Sequence, residues 1–295
     1  MHRRRTPRRA VARTLGAASA IALLAGCGAG ATAAGGIASP TGHTTPSATG
    51  RIATVQPVSA SATAEPETAE ASTAVGALYA AGASEHSCTG TVVSTASGNA
   101  VLTAAHCVTG TGEGMTFVPA LDGDKRPYGT WKVTKAFVTP AWIASQPPTD
   151  DFAVLLIEPG PTDADTPQPI QDVVGGIPLG PTAHDGDSVT VTAYNAGSDE
   201  SVSCTTGTVW QTTAQGKSPA FACDGFSGGS SGSAWVTKID GIDAIVGLIG
   251  GPYQGGCATT VSYSSRMRKL QDLLSDVETG AATPSNVPSA GASGC

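Results

Sequence analysis

The 295 residues carry a formal net charge of −7, with 38 glycines, 20 prolines and only 13% charged side chains. An acidic balance argues against a nucleic-acid partner, whose phosphates call for a basic face. Abundant glycine and proline, with short Val-, Thr- and Ile-rich runs between turn residues, point to many strands and few helices, hence an all-β domain.

The chain opens on Arg3, Arg4, Arg5, Arg8, Arg9 and Arg13, followed by an apolar run from Leu15 to Ala25. That run is too short to span a bilayer comfortably and reads as a secretory signal. It ends in Leu24-Ala25-Gly26-Cys27, which resembles the bacterial lipobox, where the cysteine is acylated after cleavage in front of it. Residues 1–27 are therefore expected to be a signal peptide with lipobox, and Cys27 the lipidated residue that attaches the protein to the outer face of the cytoplasmic membrane. Plain secretion after cleavage at the small residues beyond is the alternative, and the paired arginines permit export by the twin-arginine route. Removal of residues 1–26 takes away six arginines and no acid, so the net charge falls from −7 to −13.

Residues 28–74 are mostly Ala, Thr, Ser, Gly and Pro, with few large apolar side chains and no Phe, Tyr or Trp before Tyr79. Such a segment cannot offset its ordering entropy and is expected to be a disordered tether, with a propeptide as the alternative. Order is expected from Val75-Gly76-Ala77-Leu78-Tyr79, a first strand, followed by strands at Thr89 to Val93 and Ala100 to Thr103. Phe152 to Ile157 is continuously apolar, as a fully buried strand would be. Pro159 to Pro169 reads as a connector between two halves of one domain. Further strands are expected at Ser188 to Tyr194, Thr208 to Trp210 and Ala244 to Ile249. Met267, Leu270, Leu274 and Val277 recur at helical spacing, which predicts a helix capped by Ser264 or Ser265. The tail from Glu278 to Gly294 returns to tether-like composition.

Acyl transfer to water needs a nucleophile, a base, a group that orients the base, and donors for the oxyanion. Thr103-Ala104-Ala105-His106-Cys107 puts a histidine directly after an apolar strand. Asp150-Asp151 precedes the buried strand that starts at Phe152, with Asp151 the nearer acid and Asp150 the alternative. Gly229-Ser230-Ser231-Gly232-Ser233-Ala234 surrounds a serine with small residues, which lets the N–H groups of Gly229 and Ser231 converge as an oxyanion hole. Ser227, in Gly225-Phe226-Ser227-Gly228-Gly229, is a rival nucleophile, disfavoured because no apolar run follows it. That string also fits the nucleophile elbow of α/β-hydrolases, but there the histidine follows the serine, and the last histidine here is His184. No clustered ligand set marks a metal site, and no cofactor is expected.

These strings resemble the histidine, aspartate and serine motifs of the trypsin/chymotrypsin family, in that family's order, over about Val75 to Val277. Phrases such as Pro127-Tyr128-Gly129-Thr130-Trp131 look most like its secreted actinobacterial branch. Departures are Ser233, where glycine is common, and Ala234, where proline is usual. The resemblance implies two antiparallel six-stranded β-barrels, about 75–160 and 170–262, with His106 and Asp151 from the first and Ser231 from the second. It implies a serine endopeptidase acting on protein or peptide substrates, expected to be a monomer. The alternative is a catalytically inactive surface lipoprotein that keeps the scaffold for binding.

Seven cysteines in an exported chain, none in a Cys-x-x-Cys pair, argue for disulfides. With Cys27 lipidated, six remain. Cys88 with Cys107 matches the bridge beside the family's histidine. Cys204 and Cys223 stand at the two ends of an expected hairpin, which leaves Cys257 with Cys295. The rival scheme, Cys223 with Cys257, matches the family's bridge near the nucleophile and stays open at this level. Cleavage specificity is not legible: Asp224 at a pocket floor would favour Arg or Lys, while a turn acid is the simpler reading.

Overall fold

The computed structural model describes Ala64, Glu67 and Thr68, and residues 72–160 and 167–295. The expected signal peptide, Cys27, nearly all of the tether and the middle of the connector lie outside the described residues.

A two-residue strand, β1 (Glu67–Thr68), precedes the first half of the domain. There β2 (Val75–Tyr79), β3 (His86–Val93), β4 (Ala100–Thr103), β5 (Thr116–Pro119), β6 (Trp131–Phe137) and β7 (Ala153–Ile157) close a barrel in the order β2-β3-β4-β7-β6-β5. Strands β4 and β7 are buried almost throughout, which is why they read as unbroken apolar runs rather than alternating ones. A short helix α1 (Pro140–Ser145) sits between β6 and β7, its N-terminus capped by Thr139, whose hydroxyl accepts the Trp142 N–H.

After helix α2 (Ile170–Val174), the second half holds β8 (Ser188–Tyr194), β9 (Ser201–Thr213), β10 (Gly216–Ala222), β11 (Ala234–Ile239), β12 (Ile242–Leu248) and β13 (Val261–Tyr263). They pair in the order β12-β11-β8-β9-β10-β13, and β1 pairs with β9 off that path. The two ends of the path meet through the isolated bridge Ile249↔Ser264. The second six-stranded unit is thus joined at its seam by one bridge rather than by a ladder, because β13 is only three residues long.

Strand β8 alternates as a half-buried strand should, with Val189, Val191 and Ala193 inward and Ser188 and Thr190 outward. Strand β9 runs 13 residues, far beyond the Thr208 to Trp210 expected from apolar pattern. Its first half is Ser- and Thr-rich and gives no hydrophobic signal. It is held by the full ladder to β8 and by hydroxyl pairs across it, Thr190 with Thr205 at 2.8 Å and Thr192 with Ser203 at 3.1 Å.

Helix α3 (Met267–Glu278) buries Met267, Leu270, Leu273, Leu274 and Val277 in the cluster built on the first barrel. Neither Ser264 nor Ser265 caps it: Arg266 is the N-cap, with no side-chain cap bond. The two hydroxyls are used elsewhere. Ser264 Oγ accepts the Leu248 N–H at 3.0 Å, and Ser265 Oγ donates to the Asp151 carbonyl at 2.8 Å.

Candidate active site

His106 lies in a single 3₁₀ turn, Ala105–Cys107, directly after β4. The turn is pinned from both sides. Cys107 is disulfide-bonded to Cys88 on β3, and the Thr103 hydroxyl donates to the Thr89 carbonyl at 2.9 Å.

Asp151 follows the 3₁₀ turn Pro148–Asp150 and is 1% exposed. Its Oδ1 accepts the His106 backbone N–H at 3.0 Å. Its Oδ2 lies 2.8 Å from His106 Nδ1 and accepts the Gly251 N–H at 2.9 Å. A carboxylate buried this deeply is tolerable because each oxygen has a donor. An ionised carboxylate can only accept, so the imidazole carries its hydrogen on Nδ1 and leaves Nε2 as a base. Gly250 stands so close that a Cβ there would lie 2.8 Å from the Asp151 carbonyl, which explains the glycine at that position.

The neighbouring Asp150 has a different set of partners. It is also 1% exposed and is bound by the Lys269 ammonium of α3 and by the hydroxyls of Thr139 and Thr149, both at 2.7 Å. Burial alone would push this carboxyl up, but the ammonium and the two hydroxyls outweigh it and hold it below the ordinary range. Asp150 therefore ties the α1 cap to α3, while Asp151 faces the histidine.

Ser231 sits in a loop shaped by two left-handed glycines, Gly229 (φ 96°) and Gly232 (φ 87°). A Cβ on Gly232 would fall 2.2 Å from Thr103 Oγ1 and 2.3 Å from the Thr89 carbonyl, so only glycine lets this loop close on the first barrel. There the Thr89 N–H donates to the Ser231 carbonyl at 2.8 Å. The loop is braced internally by Ser230 Oγ to the Ser227 carbonyl and Ser233 Oγ to the Ser230 carbonyl, each 2.7 Å. The amides of Ser230, Gly232 and Ser233 all have carbonyl acceptors. Among the described residues those of Gly229 and Ser231 have none, which leaves two donors available to an outside oxygen.

His106 and Ser231 line one cavity of about 320 Å³, whose walls include Phe226, Ile249, Gly256 and Ser262. Among the described residues no Asp, Glu, Lys or Arg lines it. No hydrogen bond joins His106 to Ser231 or to Ser227 among the described residues. Ser227 is exposed on the same rim, and its hydroxyl faces the Gly228 carbonyl at 3.4 Å. Asp224 is outside the cavity lining. Its Oδ1 accepts the Gly225 N–H at 2.8 Å and the Thr259 hydroxyl at 2.7 Å, which makes it a strut between two loops.

Cys88, His106 and Cys107 are the one group of His, Cys or carboxylate residues close enough to share a metal among the described residues. The two sulfurs are spent on each other, so no thiolate is available for a metal. The remaining bridges are Cys204–Cys223 and Cys257–Cys295. Sequence reasoning did not find Gly251 and Ser265 as supports of Asp151. They lie 100 and 114 residues away, and nothing in their own strings distinguishes them.

The family model for the trypsin-like peptidase domain matches residues 88–248. Among solved structures, the protease Anisep from Arthrobacter nicotinovorans is 21% identical, with a TM-score of 0.60 over 72% of this chain and 99% of that one. A thermostable serine protease, AL20, from an extremophilic microorganism is 20% identical, with a TM-score of 0.59 over 70% and 98%. A Glu endopeptidase in complex with MPD is 18% identical, with a TM-score of 0.54 over 73% and 97%. At these identities the likeness is one of fold. No curated protein matches the chain.

Proposed function

We propose, from the premise that this chain belongs to the trypsin-like peptidase domain family, that it is an exported serine endopeptidase working through His106, Asp151 and Ser231. The observation that carries the reading is the 2.8 Å contact between His106 Nδ1 and the buried Asp151, beside a cavity that Ser231 also lines.

Ser231 Oγ attacks the substrate carbonyl while His106 Nε2 takes its proton, and Asp151 stabilises the imidazolium that forms. The negative charge moves to the carbonyl oxygen, which accepts from the N–H groups of Gly229 and Ser231. Collapse expels the amine, protonated by His106, and leaves an acyl-enzyme on Ser231 that water hydrolyses by the same steps in reverse. Substrates are proteins or peptides. Among the described residues the cavity lining holds no carboxylate to pair with a substrate Arg or Lys.

Three disulfides suit an oxidising compartment, consistent with export. Among the described residues no helix is long and apolar enough to cross a membrane. Attachment through a lipidated Cys27 rests on the sequence string alone.

A second reading, a binding module on a peptidase scaffold, draws on the missing hydrogen bond between His106 and Ser231. Catalytic hydrogen bonds are often loose without substrate, so the geometry leaves the first reading in place. Fluorophosphonate labelling decides between them. The peptidase reading expects label on Ser231, abolished in Ser231→Ala. Absence of label from the folded wild-type domain overturns it.

A further inference from the structure

Residues 279–295 are small and polar in composition, yet they are seated on the domain. Val287 is 2% exposed and exchanges both main-chain hydrogen bonds with Gly110, at 2.8 and 2.7 Å. Beyond it the backbone is held by the side-chain amides of three glutamines. Gln146 Nε2 donates to the Ser289 carbonyl at 2.9 Å, and its Oε1 accepts the Gly291 N–H at 2.8 Å. Gln254 Nε2 donates to the Gly291 carbonyl at 2.8 Å, and Gln215 Nε2 to the Ser293 carbonyl at 3.1 Å. The Gln215 Oε1 also accepts the Tyr253 N–H at 2.7 Å. The segment ends at Cys295, bonded to Cys257. A carbonyl and an amide two residues apart, read from one side, form the pattern that an extended peptide offers to a binding edge.

Backbone strain gathers at the same place. Five non-glycine residues have positive φ among the described residues, and three of them, Gln146, Tyr253 and Gln254, belong to the loops that grip this segment. Strained conformations persist where surrounding contacts over-determine them, and they cluster at ligand clamps. The segment also reaches the catalytic groups. Ser293 lines the cavity of His106 and Ser231, while Gly291, Ala292 and Ser293 line an adjoining cavity of about 300 Å³ with Asp151, Gly251 and Trp142.

We propose that residues 289–295 form a disulfide-pinned strap that occupies the Asp151 side of the substrate cleft in place of an extended substrate chain. The strap confines binding to substrate residues beside the scissile bond and holds back long chains that would lie along the cleft. This rests on the peptidase reading above and adds to it a determinant of substrate length.

The test compares the full chain with two variants, Cys257→Ser/Cys295→Ser, which unpins the strap, and Gln146→Ala/Gln254→Ala, which keeps the bridge but removes its amide clamps. Each is assayed for cleavage of unfolded casein and for the rate of labelling by a small fluorophosphonate, with thermal melting to establish folding. The quantity read is the ratio of casein kcat/KM to labelling rate. It is expected to rise about fivefold or more in the unpinned variant and by a smaller factor in the clamp variant. An unchanged ratio in either folded variant overturns the strap. A parallel fall of both rates overturns it too, by showing that the segment merely supports the site. Absence of label from the full chain is a different result, which removes the peptidase reading and the strap with it.

Discussion

Ser231 and His106 differ from their neighbours in what they leave free. The Ser231 amide and that of Gly229 have no acceptor among the described residues, and the His106 Nδ1 is engaged by Asp151, which leaves Nε2 open. Ser231→Ala and His106→Ala should each lower peptidase turnover by about 10⁴-fold or more. Both should melt close to wild type, since neither side chain fills the core. Turnover within tenfold of wild type in either folded variant would remove that residue from the mechanism. The comparison of Ser227→Ala with Ser231→Ala under fluorophosphonate labelling addresses the rival serine: label that survives in the second and vanishes in the first assigns the nucleophile to Ser227.

Helix α3 is held by its apolar stripe and by polar contacts that include Gln271 with the Gly180 carbonyl and Lys269 with the buried Asp150, which also receives the Thr139 hydroxyl at the α1 cap. The Asp150 carboxyl is held below its ordinary value. The stabilisation this brings is therefore fully present above the unfolded value, about pH 4, and is lost as pH falls through the lower folded value. Asp150→Asn should cost about 1.5–3 kcal/mol at pH 7, the range for hydrogen bonds to a charged group. Urea melts from pH 7 downward should show the gap between wild type and variant narrowing below about pH 4. A gap constant across that range would mean that the carboxylate charge contributes nothing.

For the whole molecule, each half of the domain carries a bridge over 19 residues, Cys88–Cys107 in the first and Cys204–Cys223 in the second. Loops of that length restrict the unfolded chain by roughly 3 kcal/mol each. The proposed membrane attachment concerns Cys27, outside the described residues, and rests on the string Leu24-Ala25-Gly26-Cys27 alone. Expressed in a bacterium that processes lipoproteins, the wild type should fractionate with membranes, and Cys27→Ser should be released or left uncleaved. A soluble wild type with an unmodified N-terminus beyond Cys27, and no membrane-bound precursor, would discard the anchor and leave the peptidase reading untouched.

Much of the strand order was legible because strands announce themselves locally. The runs Val75 to Tyr79, Ala100 to Thr103 and Ser188 to Tyr194 coincide with β2, β4 and β8, since side-chain alternation or full burial is written into consecutive residues. The strings around His106, Asp151 and Ser231 are likewise short, as is the glycine pattern that bends the Ser231 loop. What only the tertiary structure decided is non-local. The first half of β9 is held by hydroxyl pairs to β8 rather than by apolar pattern, and Ser265 serves Asp151 rather than capping α3. The segment after α3, tether-like in composition, is seated on the domain because glutamine amides from three distant loops engage its backbone and Cys257 is bonded to Cys295. Main-chain hydrogen bonds are indifferent to side-chain identity, so a segment bound through its backbone leaves no mark in its own sequence.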